Sequence, residues 1–310
     1  MIYAVTHVTR YHYRATVPYT RCLLRLMPAD RPGQRVLASA VTIDPAPAER
    51  SEAVDFFGNR LLRATTRKAH DSLEIRAAST VAVEPPPLPP EASIPAWETV
   101  AALAAAGRDL GPAAPVHGLF PSRLVPLSED ATRYAAVSFP QGRRLLEAAV
   151  ELNRRIRTDF TYESGATDVT TPVARVLATR RGVCQDFAHV MIAGLRGLGL
   201  AARYVSGYLR TVPPPGRPRL QGADATHAWV EVWCGPAAGW IGLDPTNACP
   251  ARESHVVLAV GRDYADVSPV DGVVLSSGGQ GLSVEVDVLE VPEPPRQTET
   301  TPAASSIRSP

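Results

Sequence analysis

A thiol, an imidazole and a carboxylate in this chain have the spacing to form a nucleophilic centre. The thiol is Cys184, in the stretch Arg180-Arg181-Gly182-Val183-Cys184-Gln185-Asp186-Phe187-Ala188-His189. The stretch reads as a break at Gly182 followed by a new helix that starts on the cysteine. Helix starts carry partial positive charge and unpaired N–H groups, which favour thiolate over thiol. The same N–H groups can hold the oxyanion that forms when a thiolate attacks a carbonyl.

A thiol nucleophile needs a base, and the base needs an orienting group. Among the seven histidines, His189 shares the helix with Cys184. Five steps of about 100° turn its ring roughly 140° from the thiol, so it reads as a packing residue. His7, His12 and His70 sit among strand residues and read as surface or hydrogen-bonded groups. His227 opens a strand over 226–233, and Asp244 closes the next one over 239–244. A four-residue connection between these strands would set the two side chains directly opposite. A six-residue connection would leave them diagonal but on the same face, because only odd slips flip a strand. Either way the carboxylate can reach the imidazole, fix its tautomer and stabilise the imidazolium. Trp229, two residues along from His227, reads as core filling or as a shield of the site from water. Cys22, Cys234 and Cys249 have no such partners and read as passive.

Elements must hold these groups in place. Residues 1–84 alternate in the strand period, with Tyr3, Val5, His7, Thr9, Tyr11 and Tyr13 on one face and a hairpin turning on Gly58-Asn59. This predicts a β-sandwich-like domain without helices. The run Glu84-Pro85-Pro86-Pro87-Leu88-Pro89-Pro90 opens a stiff linker over 85–96. A second domain spans 97–291: helices from Trp97, from Ser128 and over 142–157, one capped by Thr171-Pro172, and the Cys184 helix. Strands over 202–209, 226–233, 239–244 and 256–260 follow, and a hairpin over 273–291 is expected to extend their sheet. The β domain and the Pro-rich loop at 213–218 are expected to shape the cleft. The segment 292–310, rich in Pro, Thr and Ser, predicts a disordered tail.

Composition excludes several function classes. Among 310 residues, 32 are basic and 31 acidic, a net charge of +1. That balance offers no electrostatic footprint for nucleic acid or an anionic membrane. Four cysteines without CxxC spacing predict neither a disulfide framework nor a structural zinc site. No signal-peptide pattern or membrane span is legible, so a cytoplasmic, reducing location is expected, where a free thiol stays usable.

Gly182-Val183-Cys184-Gln185-Asp186-Phe187-Ala188-His189, His227-Ala228-Trp229 and Gly242-Leu243-Asp244-Pro245-Thr246-Asn247 together resemble the bacterial transglutaminase-like proteins. These belong to the wider transglutaminase and papain-like thiol enzyme superfamily. The likeness includes Asp55-Phe56-Phe57-Gly58-Asn59 in the β domain and Gly261-Arg262-Asp263-Tyr264-Ala265-Asp266-Val267, and reaches nearly to Val291. It implies an α+β fold, with a Cys-bearing helix on an antiparallel sheet that carries His and Asp. It also implies catalytic roles for Cys184, His227 and Asp244, a second oxyanion donor in Tyr162, and a brace for the loop after Asp244 in Asn247. No metal or other cofactor is implied, and no EF-hand loop or dense acidic cluster is present. The expected activity is thiol-dependent acyl transfer on the amide carbonyl of a peptide or protein, through a thioester. Water as acceptor gives a cysteine peptidase or amidase. A lysine-like amine gives a transglutaminase, and a catalytically silent scaffold on the same fold is the third reading.

Overall fold

The computed structural model describes residues 1–211, 226–275 and 277–292. The Pro-rich loop at 213–218 and, apart from Pro292, the expected disordered tail lie outside the described residues.

The alternating N-terminal sequence forms six strands with no helix among them: β1 (Ile2–Val17), β2 (Tyr19–Met27), β3 (Gln34–Asp44), β4 (Glu49–Val54), β5 (Arg60–Thr66) and β6 (His70–Val83). The β4–β5 turn closes where the sequence places it. Gly58 takes φ +80°, and Asp55 Oδ1 accepts the N–H groups of Phe57 and Asn59 at 2.9 Å each. After the linker come α1 (Trp97–Ala106), α2 (Glu129–Ala136), α3 (Leu145–Asp159), β7 (Thr161–Tyr162), α4 (Val173–Thr179), β8 (Arg181–Gly182) and α5 (Cys184–Gly197). Ser128 caps α2 by accepting the Ala131 N–H at 3.3 Å, as its position before an acidic first turn predicts. The chain then forms β9 (Ala202–Leu209), β10 (Thr226–Trp233), β11 (Trp240–Asp244), β12 (Cys249–Pro250), β13 (His255–Gly261), α6 (Tyr264–Val267), β14 (Val270–Leu275) and β15 (Gln280–Glu290).

Strands β12-β11-β10-β9-β13 form an antiparallel sheet in that order. Helix α5 lies against β9 and β10 on one side and against α2, α3 and α4 on the others. Every residue from Gln185 to Arg196 is accordingly buried, its polar members Gln185, Asp186, His189 and Arg196 hydrogen-bonded within the protein.

The final strands depart from expectation. They do not form a hairpin and do not extend the five-stranded sheet. β15 pairs with β1 in the sheet β15-β1-β6-β3, and β14 pairs with β2 in the sheet β14-β2-β5-β4. The chain thus returns to the sandwich, and the stretch assigned to a 97–291 unit gives its last two strands to the N-terminal layers. Alternation marks a strand but not its partner. Here Val286 and Val288 fill the sandwich core beside Tyr3, Val5, Ile75 and Val81.

The two parts share that core, because Tyr208, Val256 and Leu258 of the five-stranded sheet belong to the same apolar cluster. They also share hydrogen bonds at the edge strand β13. Gln34 Nε2 donates to Val257 O at 2.9 Å, and Gln34 Oε1 accepts the Val257 N–H at 2.8 Å. Asn59 does the same at Val260, at 2.7 Å to the carbonyl and 2.8 Å from the N–H. Two side-chain amides therefore stand in for a missing strand. They satisfy backbone groups that an edge otherwise leaves open.

Candidate active site

Cys184 is set at its helix start by a chain of local constraints. Arg180 ends α4 in the left-handed conformation, at φ +55°. Strands β7 and β8 then pair in parallel, Tyr162 beside Gly182, with the Glu163 N–H on Gly182 O at 2.9 Å. Asp186, on the first turn of α5, reaches back so that its Oδ2 accepts the Val183 N–H at 2.8 Å and the Thr167 hydroxyl at 2.6 Å. This is the acidic half of a capping box. Gly182 is required here, because a Cβ at that position would lie 2.6 Å from Asp186 Oδ2. Burial raises the Asp186 pKa, opposed by its bonds from Thr167 and Val183. The spacing from Gly182 to Asp186 carried this signal in the sequence. The first-turn N–H groups of Cys184, Gln185 and Asp186 stay without helical acceptors, and Cys184 itself is half-buried.

The imidazole and carboxylate come from the sheet. Trp233 pairs with Trp240, so the β10–β11 connection is the six-residue case. His227 and Asp244 are accordingly diagonal on one face, and His227 Nε2 lies 2.8 Å from Asp244 Oδ2. Asp244 is fully buried, at 0% exposure. Its Oδ1 accepts the N–H groups of Thr246 and Asn247 at 2.9 and 3.1 Å. Its Oδ2 also accepts Asn247 Nδ2 at 2.7 Å. Asn247 therefore braces the carboxylate itself as well as the turn after it.

These contacts set the charges. Burial of Asp244 favours the neutral acid, but donors from His227, His255 and Asn247 outweigh it and hold the carboxyl well below its usual range. Burial pulls His227 down, while the hydrogen-bonded Asp244 carboxylate and then the Cys184 thiol push it up further, to about 9. An imidazolium at neutral pH is the expected partner of a thiolate. Burial pushes the Cys22 thiol up to about 11, Cys234 to about 12 and Cys249, also near the Asp244 charge, to about 11.

Tyr162 stands at the mouth, 51% exposed, with its ring edge on Phe187 at 6.3 Å. Burial of part of the ring, then Cys184 and Asp186, raise its hydroxyl pKa, so at neutral pH it is a donor. Trp229 is buried beneath the pair, tilted against His227 at 6.2 Å and edge-on to His255 at 5.2 Å. His189 is a packing residue: its Nε2 accepts the Tyr264 N–H at 3.2 Å, and burial lowers it to about 4.

His255, at the start of β13, was not legible as a site residue. Its Nε2 lies 3.1 Å from Asp244 Oδ2. Among the described residues His227, Asp244 and His255 bring three potential metal-ligand atoms within 4.8 Å of one another. Each of those atoms already takes part in a hydrogen bond of this cluster, which accounts for their closeness without an ion. A cavity of about 580 Å³ lies behind the site, between the linker prolines, Trp229, Trp240 and His255; Cys184, His227 and Asp244 do not line it.

The molecule is thus an α+β protein with a transglutaminase-like core, in which a cysteine-headed helix faces a His–Asp pair on an antiparallel sheet. Residues 3–82 match the bacterial transglutaminase-like N-terminal region, and residues 132–245 match the transglutaminase-like superfamily. An uncharacterized protein of Mycobacterium tuberculosis is 43% identical over 296 residues, covering 93% of this chain and 92% of that protein. Another, of Mycobacterium leprae, is 32% identical over 297 residues, covering 93% and 98%. The chain belongs to the bacterial transglutaminase-like family. A candidate cysteine protease from Cytophaga hutchinsonii shares the fold, with a TM-score of 0.72 at 22% identity, covering 96% of this chain and 94% of that one. A shorter match, 42% identical over 76 residues, is to a protein-glutamine gamma-glutamyltransferase of Pseudomonas aeruginosa, covering 24% of this chain and 11% of that protein. No helix among the described residues is long and apolar enough to cross a membrane.

Proposed function

We propose that this protein is a thiol-dependent acyl-transfer enzyme acting on amide or peptide bonds, working in the cytoplasm as a cysteine peptidase or amidase. The observation that carries the reading is the convergence on one imidazole: His227 sits 2.8 Å from a fully buried Asp244, and the Cys184 thiol joins that carboxylate in pushing the ring's pKa up.

The thiolate of Cys184 attacks the substrate carbonyl carbon, forming the S–C bond, and the oxygen takes the negative charge. The first-turn N–H groups of α5 and the Tyr162 hydroxyl receive that charge. Collapse breaks the C–N bond, and the imidazolium of His227 gives its proton to the leaving amine. A thioester remains. Water then attacks it, passing a proton to His227 as the C–O bond forms and the C–S bond breaks. This releases the carboxylic acid and restores the thiolate and imidazolium. Asp244 keeps the ring in register throughout and stays ionised.

An amine in place of water gives the transglutaminase reaction by the same steps, and the short match to a gamma-glutamyltransferase favours keeping that reading second. Mass spectrometry of a peptide library incubated with the protein, with and without a primary amine, separates them. Hydrolysed products in both arms support the peptidase; amine adducts support the transferase. Cys184→Ala should abolish turnover in either case, and turnover that persists in this variant rejects the mechanism.

A further inference from the structure

We propose that His255 is a positioning residue for the acid–base pair, holding Asp244 Oδ2 against His227 from the opposite edge of the sheet. The proposal rests on the acyl-transfer reading above and adds to it a group outside the Cys184, His227 and Asp244 set.

The other contacts of Asp244 cannot do this task. Thr246 and Asn247 belong to the same turn as Asp244, so their donors fix the carboxylate relative to its own strand end. His227 is the group to be oriented and cannot be its own reference. Apart from His227 itself, only His255 among the described residues ties the carboxylate to a separate element, β13, through the 3.1 Å contact of Nε2 with Oδ2.

His255 is itself fixed. Its Nδ1 accepts the Arg252 N–H at 3.2 Å, which puts the ring proton on Nε2, facing Asp244. Trp229 stands edge-on to the ring at 5.2 Å. The space for that indole comes from Gly207, which is in register with His227 on one side and Val257 on the other. A Cβ at Gly207 would come within 2.4 Å of the Trp229 ring. Behind His255, β13 is pinned at Val257 and Val260 by Gln34 and Asn59. With Nδ1 accepting from Arg252, Nε2 presents its hydrogen to Asp244 Oδ2, and the contact fixes where the carboxylate lies relative to β13. The arrangement is the carboxylate counterpart of the outer hydrogen bonds that set a catalytic ring's tautomer.

The test compares His255→Phe, which fills the space without a donor, with His255→Gln, which keeps an N–H near the same place. Three readouts are taken on each: melting temperature, the rate of Cys184 alkylation by iodoacetamide at pH 7, and kcat and KM on a cleaved peptide. We expect His255→Phe to lose at least tenfold in kcat and in alkylation rate with KM within twofold, and His255→Gln to recover most of both. If His255→Phe does not fold, His255→Asn, whose amide is too short to reach Asp244, takes its place in the comparison. Wild-type rates in the folded donor-less variant overturn the proposal, as does equal impairment of both variants, which would mark a role in packing alone. Asp244→Asn run alongside separates the two levels. Unchanged thiol reactivity there rejects the acyl-transfer reading itself; loss there with none in His255→Phe rejects only the role of His255.

Discussion

Asp244→Asn is the most informative single change. In the native site Oδ1 faces two N–H donors and Oδ2 faces three. An amide has one accepting end, so whichever way Asn turns, its NH₂ points at N–H groups. The variant therefore loses at least two hydrogen bonds in a fully buried place and adds a donor–donor conflict. Breaking a buried charged pair from one side costs about 3–5 kcal/mol. The functional effect follows from His227, pushed up to about 9 chiefly against burial by Asp244 and the Cys184 thiol. Without the carboxylate, burial dominates and the ring falls to its ordinary value or below. At pH 8 the imidazolium fraction then drops from about nine-tenths to about one-thirtieth, a loss of roughly 30-fold from protonation alone. The assay is kcat/KM against pH, whose alkaline limb reports the coupled thiol–imidazole pair. That limb should lie near pH 9 in the native protein and below pH 7 in the variant. Stability should follow the same sign. A raised histidine pKa contributes in full below pH 6.5 and is lost as pH rises through 9, so the native melting temperature falls over that window and the variant's falls less. An alkaline limb that stays near pH 9 in Asp244→Asn would refute the account.

Iodoacetamide at pH 7.5 should label Cys184 at least tenfold faster than Cys22, Cys234 or Cys249, whose thiols are held near 11, 12 and 11, as peptide mapping after a timed quench would read. Asn59→Leu should cost about 2–4 kcal/mol in urea unfolding, because it leaves the buried N–H and C=O of Val260 without partners. A chain ending at Pro269 should fail to give a cooperative thermal transition, since it loses β14 and β15 and strips Val286 and Val288 from the sandwich core.

The site's chemistry was more legible than its support. Cys184, His227 and Asp244 could be placed because each lies on an element whose period is local: a helix start after Gly182, and two consecutive strands joined by a short connection. Only the parity of that connection mattered, and the six-residue loop kept both side chains on one face. His255 could not be found in this way. It stands on β13, which pairs with β9 rather than with its sequence neighbours, and no register argument along adjacent strands reaches it. The return of β14 and β15 to the sandwich was hidden for the same reason, since alternation is identical whichever sheet receives the strand. Gln34 gave no signal at all, because a side-chain amide replacing a strand leaves no periodic trace. Asn59 was visible only as part of the Asp55–Asn59 turn, whose geometry aims its amide at Val260.

These hidden contacts meet on one strand, so the proposed role of His255 would extend to the β domain as well. β13 is an edge strand that receives two amide straps from the sandwich, and the residue that opens it touches Asp244. Displacing β13 by even 1 Å would open the 3.1 Å contact from His255 beyond hydrogen-bond range. If His255 positions Asp244 as proposed, the carboxylate, and through it His227, is referenced to a sheet on which neither residue lies. On that proposal the sandwich would not need to touch substrate to matter for turnover. It would supply the fixed side against which the acid–base pair is held, and the proposal then predicts that a lesion at Asn59 lowers the reactivity of Cys184 as well as the stability of the fold.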